Sequence, residues 1–283
     1  MAFTTLVQAA DLAGHLDDPR WLVVDCRFDL ADPAAGETAW RRAHLPGAAY
    51  LHLDRDLSGP VTARSGRHPL PAPAALAATF GRLGIAPGTQ VVAYDGGPGY
   101  FAARLWWLLR WLGHDAVAVL DGGLPAWLAA GGTLDDSVRG RAATDFVAAP
   151  RAGQAIDAPS LQAALAAGTL LLVDARNAER FRGEVEPIDP VAGHVPGAVN
   201  HPCTGNVGAD GRLLPPAELA RRWRETLGAR RPAEVACMCG SGITACHNLL
   251  ALESAGLGGA RLYPGSWSEW IRDPARPVAR GTG

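Results

Sequence analysis

Short, unbroken apolar runs alternate along this chain with stretches that read as helices, a rhythm that predicts mainly parallel sheets covered by helices on both faces. Trp21–Val24, Gln90–Tyr94 and Ala116–Leu120 read as buried strands in the first half, and Leu170–Val173 and Val235–Met238 in the second. The last of these is followed by two glycines and then by Ala245–Glu253, which reads as a helix ending near Gly256. In folds of this type the loops that carry function sit at the carboxyl ends of the strands.

The pattern is written twice. Val23-Val24-Asp25-Cys26-Arg27 returns as Leu172-Val173-Asp174-Ala175-Arg176, and His44-Leu45-Pro46-Gly47-Ala48 as His194-Val195-Pro196-Gly197-Ala198. Val91-Val92-Ala93-Tyr94-Asp95-Gly96-Gly97 answers Val235-Ala236-Cys237-Met238-Cys239-Gly240-Ser241, and Asp121-Gly122-Gly123-Leu124-Pro125-Ala126-Trp127 answers Pro264-Gly265-Ser266-Trp267-Ser268-Glu269-Trp270. Order is kept and only loop lengths differ, so the expectation is a tandem duplication of one α/β domain. Thr133–Ile156 has no convincing periodicity. The expected division is a first domain over 1–140, a linker over 141–156 and a second domain over 157–283.

The copies differ where chemistry is concerned. Cys239-Gly240-Ser241-Gly242-Ile243-Thr244 places a cysteine on a strand-to-helix turn, where glycines let backbone N–H groups and a helix N-terminus converge on its sulfur. Such a cradle favours the anionic form of a thiol and marks Cys239 as a candidate nucleophile. The first copy has Asp95 at that place, which cannot perform thiol chemistry, so the first domain is expected to be a non-catalytic partner. Asp25, Arg27, Asp174, Arg176, His44 and His194 occur in both copies alike and are expected to serve the fold.

Composition narrows the class. The chain has 283 residues, is 48% apolar and 19% charged, and carries a formal charge of −2, so neither nucleic acid nor an anionic membrane is an expected partner. All 26 basic residues are arginine, so any side-chain cation in a site must be Arg or a protonated His. The five cysteines lack the spacing of a disulfide framework, Met1–Ala13 lacks the pattern of a secretory signal, and no apolar run approaches the ~20 residues of a membrane span. A cytoplasmic location is expected, with no metal and no cofactor.

Together, the D-x-R after a strand, the H-x-P-G-A, the cysteine loop and the closing P-G-S-W-S-E-W resemble the two-domain rhodanese family of sulfurtransferases over nearly the whole chain. The cysteine loop is most similar to that of the 3-mercaptopyruvate-using members. Thiosulfate-preferring members usually carry basic residues directly after the cysteine, where this chain has Gly240 and Ser241. The resemblance implies double displacement. Cys239 takes sulfur from a small donor, 3-mercaptopyruvate or thiosulfate, as a persulfide; the loop from Gly240 through Gly242 and Ile243 to Thr244 holds it; cyanide or a thiol such as reduced thioredoxin removes it. It also assigns Ser241, His68 (in Arg67-His68-Pro69-Leu70-Pro71) and Asp54 (in Leu51-His52-Leu53-Asp54) to a Ser–His–Asp group that polarises the donor or moves a proton. Arg180 is implied as the binder of a donor carboxylate. One departure stands out: mercaptopyruvate-type members often have a second arginine just after the Glu186-Pro187 pair, and this chain has Ile188.

The remaining candidates read more plainly. Cys237 and Cys246 are expected as buried core thiols, and Trp267 and Trp270 as packing residues. A cysteine phosphatase would need an arginine five residues beyond the loop's first variable position, and Ala245 stands there. A non-catalytic binding module is opposed by the intact Cys239 loop.

Overall fold

The computed structural model describes residues 2–282. Among the described residues, nine parallel strands form two sheets: β1 (Leu6–Val7), β2 (Trp21–Asp25), β3 (Ala49–Tyr50), β4 (Gln90–Tyr94) and β5 (Val117–Leu120) in the first, and β6 (Leu171–Asp174), β7 (Val199–Asn200), β8 (Val235–Met238) and β9 (Arg261–Leu262) in the second. The strand orders are β1-β5-β4-β2-β3 and β7-β6-β8-β9. The central strands are mostly apolar because both faces are covered: every residue of β4 and of β8 is buried.

The expected α/β class and the expected strands are present. So is the helix after the cysteine loop, which runs Thr244–Ser254 and closes before Gly256, whose φ is +70°. Each half has its own core. In the first, Val23, Val92, Ala118 and Leu120 pack with Leu12, Leu45 and Trp127; in the second, Leu172, Ala236 and Met238 pack with Leu161, Phe181, Trp267 and Trp270.

The chain divides into two compact units, and the division is not a single cut. Met1–Gly59, Pro71–Arg151 and Gly208–Leu213 form one; Pro60–Leu70, Ala152–Val207 and Leu214–Gly283 form the other. The segment that carries Arg67 and His68 therefore belongs with the cysteine loop, although it lies far from it in sequence. The end of the expected linker also has regular partners, since Ile156 N–H donates to the Leu262 carbonyl and Leu262 N–H to that of Gln154. These bonds put 154–156 beside β9 as β1 lies beside β5. Hydrophobic periodicity misses such a segment because one bridge needs no apolar repeat.

In both sheets the chain reverses its direction of travel after an edge strand, β3 or β7, so the switch points fall between β2 and β4 and between β6 and β8, which is where open α/β sheets place their sites. The repeated D-x-R lies at that point. The Asp25 carboxylate accepts from the Arg27 amide at 2.8 Å, from Arg27 Nε at 2.8 Å and from the Tyr94 hydroxyl at 2.5 Å, with Asp25 fully buried. Asp174 accepts from the Arg176 amide, Nε and Nη2, and Arg176 Nη2 also donates to the Gly193 carbonyl at 2.8 Å. The motif thus ties the end of the second strand of each copy to the loop after it.

Removing one partner of a buried pair strands the other charge. Asp25→Ala is expected to lower the unfolding free energy by about 3–5 kcal/mol, read from urea denaturation followed by circular dichroism. A loss under about 1 kcal/mol, the range of an exposed ion pair, would show that Arg27 finds another acceptor.

Candidate active site

Cys239 follows β8 directly, on the second unit's switch point, and is 2% exposed. Its loop is strapped from one side by the turn Pro264–Ser268. The Cys239 amide donates to Ser266 Oγ at 3.0 Å, and Ser266 Oγ donates in turn to the Tyr263 carbonyl at 3.0 Å. The amides of Trp267 and Ser268 donate to the carbonyls of Cys239 and Gly240 at 3.0 and 2.9 Å. With its carbonyls and its own amide held in this way, the cysteine is presented in one orientation. The Gly242 amide donates to Sγ at 3.1 Å.

Two backbone features make this geometry possible. Gly242 has φ +82°, and a Cβ there would lie 2.4 Å from the Pro264 carbonyl oxygen. Ser266 is the single non-glycine residue with positive φ among the described residues, at +54°, a strained conformation of the kind that collects at functional sites. Its hydroxyl bonds to Cys239 and Tyr263 explain why a serine stands there instead of a glycine.

Ser241 and His68 meet: His68 Nδ1 lies 2.7 Å from Ser241 Oγ, both side chains being buried. His68 is delivered by the segment 60–70, which is docked on the same turn. The Arg67 amide donates to Ser268 Oγ at 3.1 Å, and a Cβ on Gly66 would lie 2.5 Å from the Gly265 carbonyl oxygen. Asp54 lies in the first unit, within the short helix Leu53–Asp56, where its amide is capped by His52 Nδ1 at 3.1 Å. Ile243 is buried and Thr244 opens the helix behind the cysteine.

Arginines surround the loop. The Arg180 guanidinium is gripped by Glu186 through Nε and Nη2, at 3.2 and 2.7 Å, and Nη2 also reaches Asp189 at 3.2 Å. Asp189 bonds Arg67 through its other oxygen. Arg176 lies deeper, 1% exposed along its side chain, paired with Asp174 and Glu186 and stacked 4.8 Å over the Trp267 ring. Burial works to strip the charge from Arg176, but Asp174, Glu186 and the nearby Cys239 outweigh it and hold its pKa above the ordinary value. Burial likewise works to raise the Glu186 pKa, and the bonds from Arg180 and from the amides of Asp189 and Ile188 bring it below its usual range. For Asp189 burial wins over Arg67 and Arg180, with Glu186 adding to it, and its pKa is pushed up. Arg182 is turned to Glu184 at 2.7 Å on the surface, and the Ile188 side chain is exposed.

The other thiols are unlike Cys239 in surroundings. Cys237 is fully buried, and desolvation pushes its pKa well up. Desolvation and the neighbouring Cys239 push Cys203 up to about 12. Cys246 Sγ donates to the Gly242 carbonyl at 3.3 Å, inside the helix. Trp267 and Trp270 are core residues whose indole N–H groups donate to the carbonyls of Val191 and Pro277. No cluster of three or more His, Cys, Asp or Glu side chains that could hold a metal occurs among the described residues.

In the first copy the same turn holds a carboxylate. Asp95 Oδ1 accepts from the amides of Gly97 and Gly99 at 2.9 and 3.0 Å, and Oδ2 from those of Phe101 and Ala102 at 2.8 and 3.2 Å. Burial raises the Asp95 pKa against the pull of these four amides. Four of the loop's amides are thus spent on the chain's own side chain.

A family model described as "Rhodanese-like domain" matches residues 8–130 and again 157–273. The chain belongs to the rhodanese family and consists of two rhodanese domains. It is 53% identical, over 99% of its length and 100% of the relative's, to a Pseudomonas aeruginosa protein named "Probable 3-mercaptopyruvate sulfurtransferase". It is 43% identical, over 98% of its length and 97% of the relative's, to a Mycobacterium tuberculosis protein named "Putative thiosulfate sulfurtransferase SseB". Among solved structures, the 3-mercaptopyruvate sulfotransferase SseA from Escherichia coli superposes with a TM-score of 0.81 at 31% identity, covering 94% of this chain and 100% of that one.

Arg67, Glu186, Asp189 and Ser266 went unmarked in the sequence. An arginine next to His68 carries no signal by itself; only the fold shows that the segment 60–70 packs on the cysteine loop.

Gly242→Ala forces a Cβ into a positive-φ position and against the Pro264 carbonyl. Sulfur transfer by this variant is expected to fall at least ~10-fold in kcat/KM, the cost of a misplaced nucleophile. An unchanged steady-state rate would show that the loop tolerates displacement.

Proposed function

We propose that this sulfurtransferase takes its sulfur from 3-mercaptopyruvate, carries it as a persulfide on Cys239 and delivers it to a thiol or to cyanide. The observation that carries the reading is the Ser241–His68 bond at 2.7 Å beside the Cys239 loop. A hydroxyl backed by an imidazole suits a keto donor, which must be polarised and must gain a proton as it leaves, whereas thiosulfate needs neither. The names of full-length relatives support the same donor.

The chemistry follows from the groups present. The Cys239 thiolate attacks the donor sulfur and the donor's C–S bond breaks. The electron pair passes to the carbon, which takes up the donor's thiol proton, so that pyruvate leaves and a persulfide anion remains. Ser241 with His68 offers the path for that proton and a hydrogen bond to the keto oxygen. The Gly242 amide, already on Sγ, favours negative charge at the cysteine, and the arginines about the loop add to it. Arg180 receives the donor carboxylate. Asp54 belongs to the same group on the strength of the resemblance alone. In the second half, the acceptor's nucleophile attacks the outer sulfur and returns the Cys239 thiolate. A thiol carrier such as reduced thioredoxin would serve as acceptor, and a reducing, cytoplasmic setting suits five cysteines none of which is in a disulfide. Among the described residues, no helix is long and apolar enough to cross a membrane.

A thiosulfate-using enzyme of the same mechanism is the second reading, favoured by the name of the Mycobacterium tuberculosis relative and by the uncharged Ile188. Parallel kinetics with both donors and cyanide decide between them. The expected result is a larger kcat/KM with 3-mercaptopyruvate, and one added sulfur by intact mass spectrometry in the native chain but not in Cys239→Ser. A preference for thiosulfate overturns the donor, and an absent persulfide overturns the mechanism. Ser241→Ala is expected to slow 3-mercaptopyruvate turnover by about 10²-fold or more, the usual worth of a positioned acid or base, with a much smaller effect on thiosulfate. Equal losses would take Ser241 out of the proton path.

A further inference from the structure

The first unit has a pocket of about 350 Å³ at its own switch point, the place where the second unit holds Cys239. Residues 27–29 after β2, residues 95–101 after β4 and the helix Ala35–Arg42 build it. Ala35 and Ala39 lie one turn apart on that helix and contribute nothing larger than methyl groups. Phe28 and Phe101 contribute rings, edge to face with centroids 5.7 Å apart. Gly96 is exposed, and a Cβ there would meet only the Arg27 side-chain stem, at 3.8 and 3.9 Å. Arg27 is the one cation in the lining. Its Nε donates to Asp25 and its Nη2 to the Ala43 carbonyl at 2.7 Å, while Nη1 has no hydrogen-bond partner among the described residues. Asp25 balances the Arg27 charge, and the other ionisable groups of the lining, Asp29 and Asp95, are both acidic.

We propose that this pocket is a binding site for a small uncharged aromatic molecule with one acceptor oxygen, its ring against Phe28 and Phe101 and its oxygen on Arg27 Nη1. Ligand sites of this size are mostly apolar, with a few polar groups that fix orientation. Rings beside small side chains leave a space suited to a flat body, and ring-on-ring contact adds to its burial. Charge of either sign is disfavoured. An anion would gain a guanidinium already neutralised by Asp25 and would face Asp29 and Asp95; a cation would face Arg27. The turn carries Asp95 in place of a thiol, so a molecule held there is bound and not converted. The site lies wholly in the first unit and is independent of which donor supplies sulfur to Cys239.

The test titrates acetophenone, benzoate and benzylamine, one ring with a neutral, a negative and a positive head, into the isotope-labelled native chain and follows backbone amide shifts by NMR. Acetophenone is expected to give saturable shifts at Gly96, Gly97 and Phe101. Benzoate and benzylamine are expected to bind about 10-fold more weakly or worse, since each must bury a charge without a free partner. Gly96→Leu, at a position where a Cβ makes ordinary contact, puts a side chain into the pocket and is expected to weaken acetophenone about 10-fold or more. Unchanged sulfur transfer to cyanide by this variant shows that the chain is folded; if it does not fold, the order of the three probes on the native chain decides alone. Shifts that fail to saturate or fall outside residues 95–101 remove the site, and acetophenone binding unaltered by Gly96→Leu puts the ligand elsewhere. Benzoate or benzylamine binding best overturns the uncharged ligand. N-acetylphenylalanine amide binding about 10-fold tighter than acetophenone assigns the pocket to an aromatic side chain of a partner protein and overturns the small-molecule reading.

Discussion

The site depends on how closely the backbone of Pro264 and Gly265 approaches its neighbours. On one side Gly242 lies against the Pro264 carbonyl, and on the other Gly66 lies against that of Gly265, each so near that a methyl group would collide with oxygen. Because the turn fits between two glycines, its following residues can hand Ser266 Oγ to the Cys239 amide, and the Trp267 and Ser268 amides to the loop's carbonyls. Through the same contact the segment 60–70 is seated, and with it His68 and Arg67. Ser266 bears the cost as a non-glycine left-handed residue, a strain of order 1–2 kcal/mol that its two hydrogen bonds offset.

Around this frame charge is arranged so that cations can be buried near a nucleophile without leaving any of them unpaired. Asp174, Glu186 and Asp189 are all nearly inaccessible, and each contacts one or two of Arg176, Arg180 and Arg67. A buried guanidinium alone would be expensive; a buried pair is tolerable when its hydrogen bonds are complete. Arg176 meets that condition through Asp174, Glu186, a backbone carbonyl and an indole face, and is a fixed part of the floor. Arg67 and Arg180 meet it only in part, and their spare donors face the loop.

The two copies show how one turn serves opposite ends. In the first, four amides close on the Asp95 carboxylate. In the second, the side chain is a shorter thiol whose sulfur accepts from Gly242. The strands, the D-x-R ties and the glycine turns are common property. Reactivity differs because one side chain satisfies the cradle and the other is presented by it.

The sequence by itself determined the repeated α/β fold, the strands and the nucleophile's turn, because those follow from local signals: apolar runs, glycines at a strand-to-helix junction and a pattern occurring twice. It also marked Ser241, His68 and Arg180, though only through resemblance, since nothing local distinguishes His68 from a surface histidine. Tertiary structure alone decided that residues 60–70 pack with the second unit, that Arg67 and Arg180 share Asp189, and that Ser266 rather than another loop residue takes the Cys239 amide. The physical reason is the same in each case. These contacts join residues tens of positions apart through single hydrogen bonds and close backbone approaches, and such partners have no period, run or spacing to announce them.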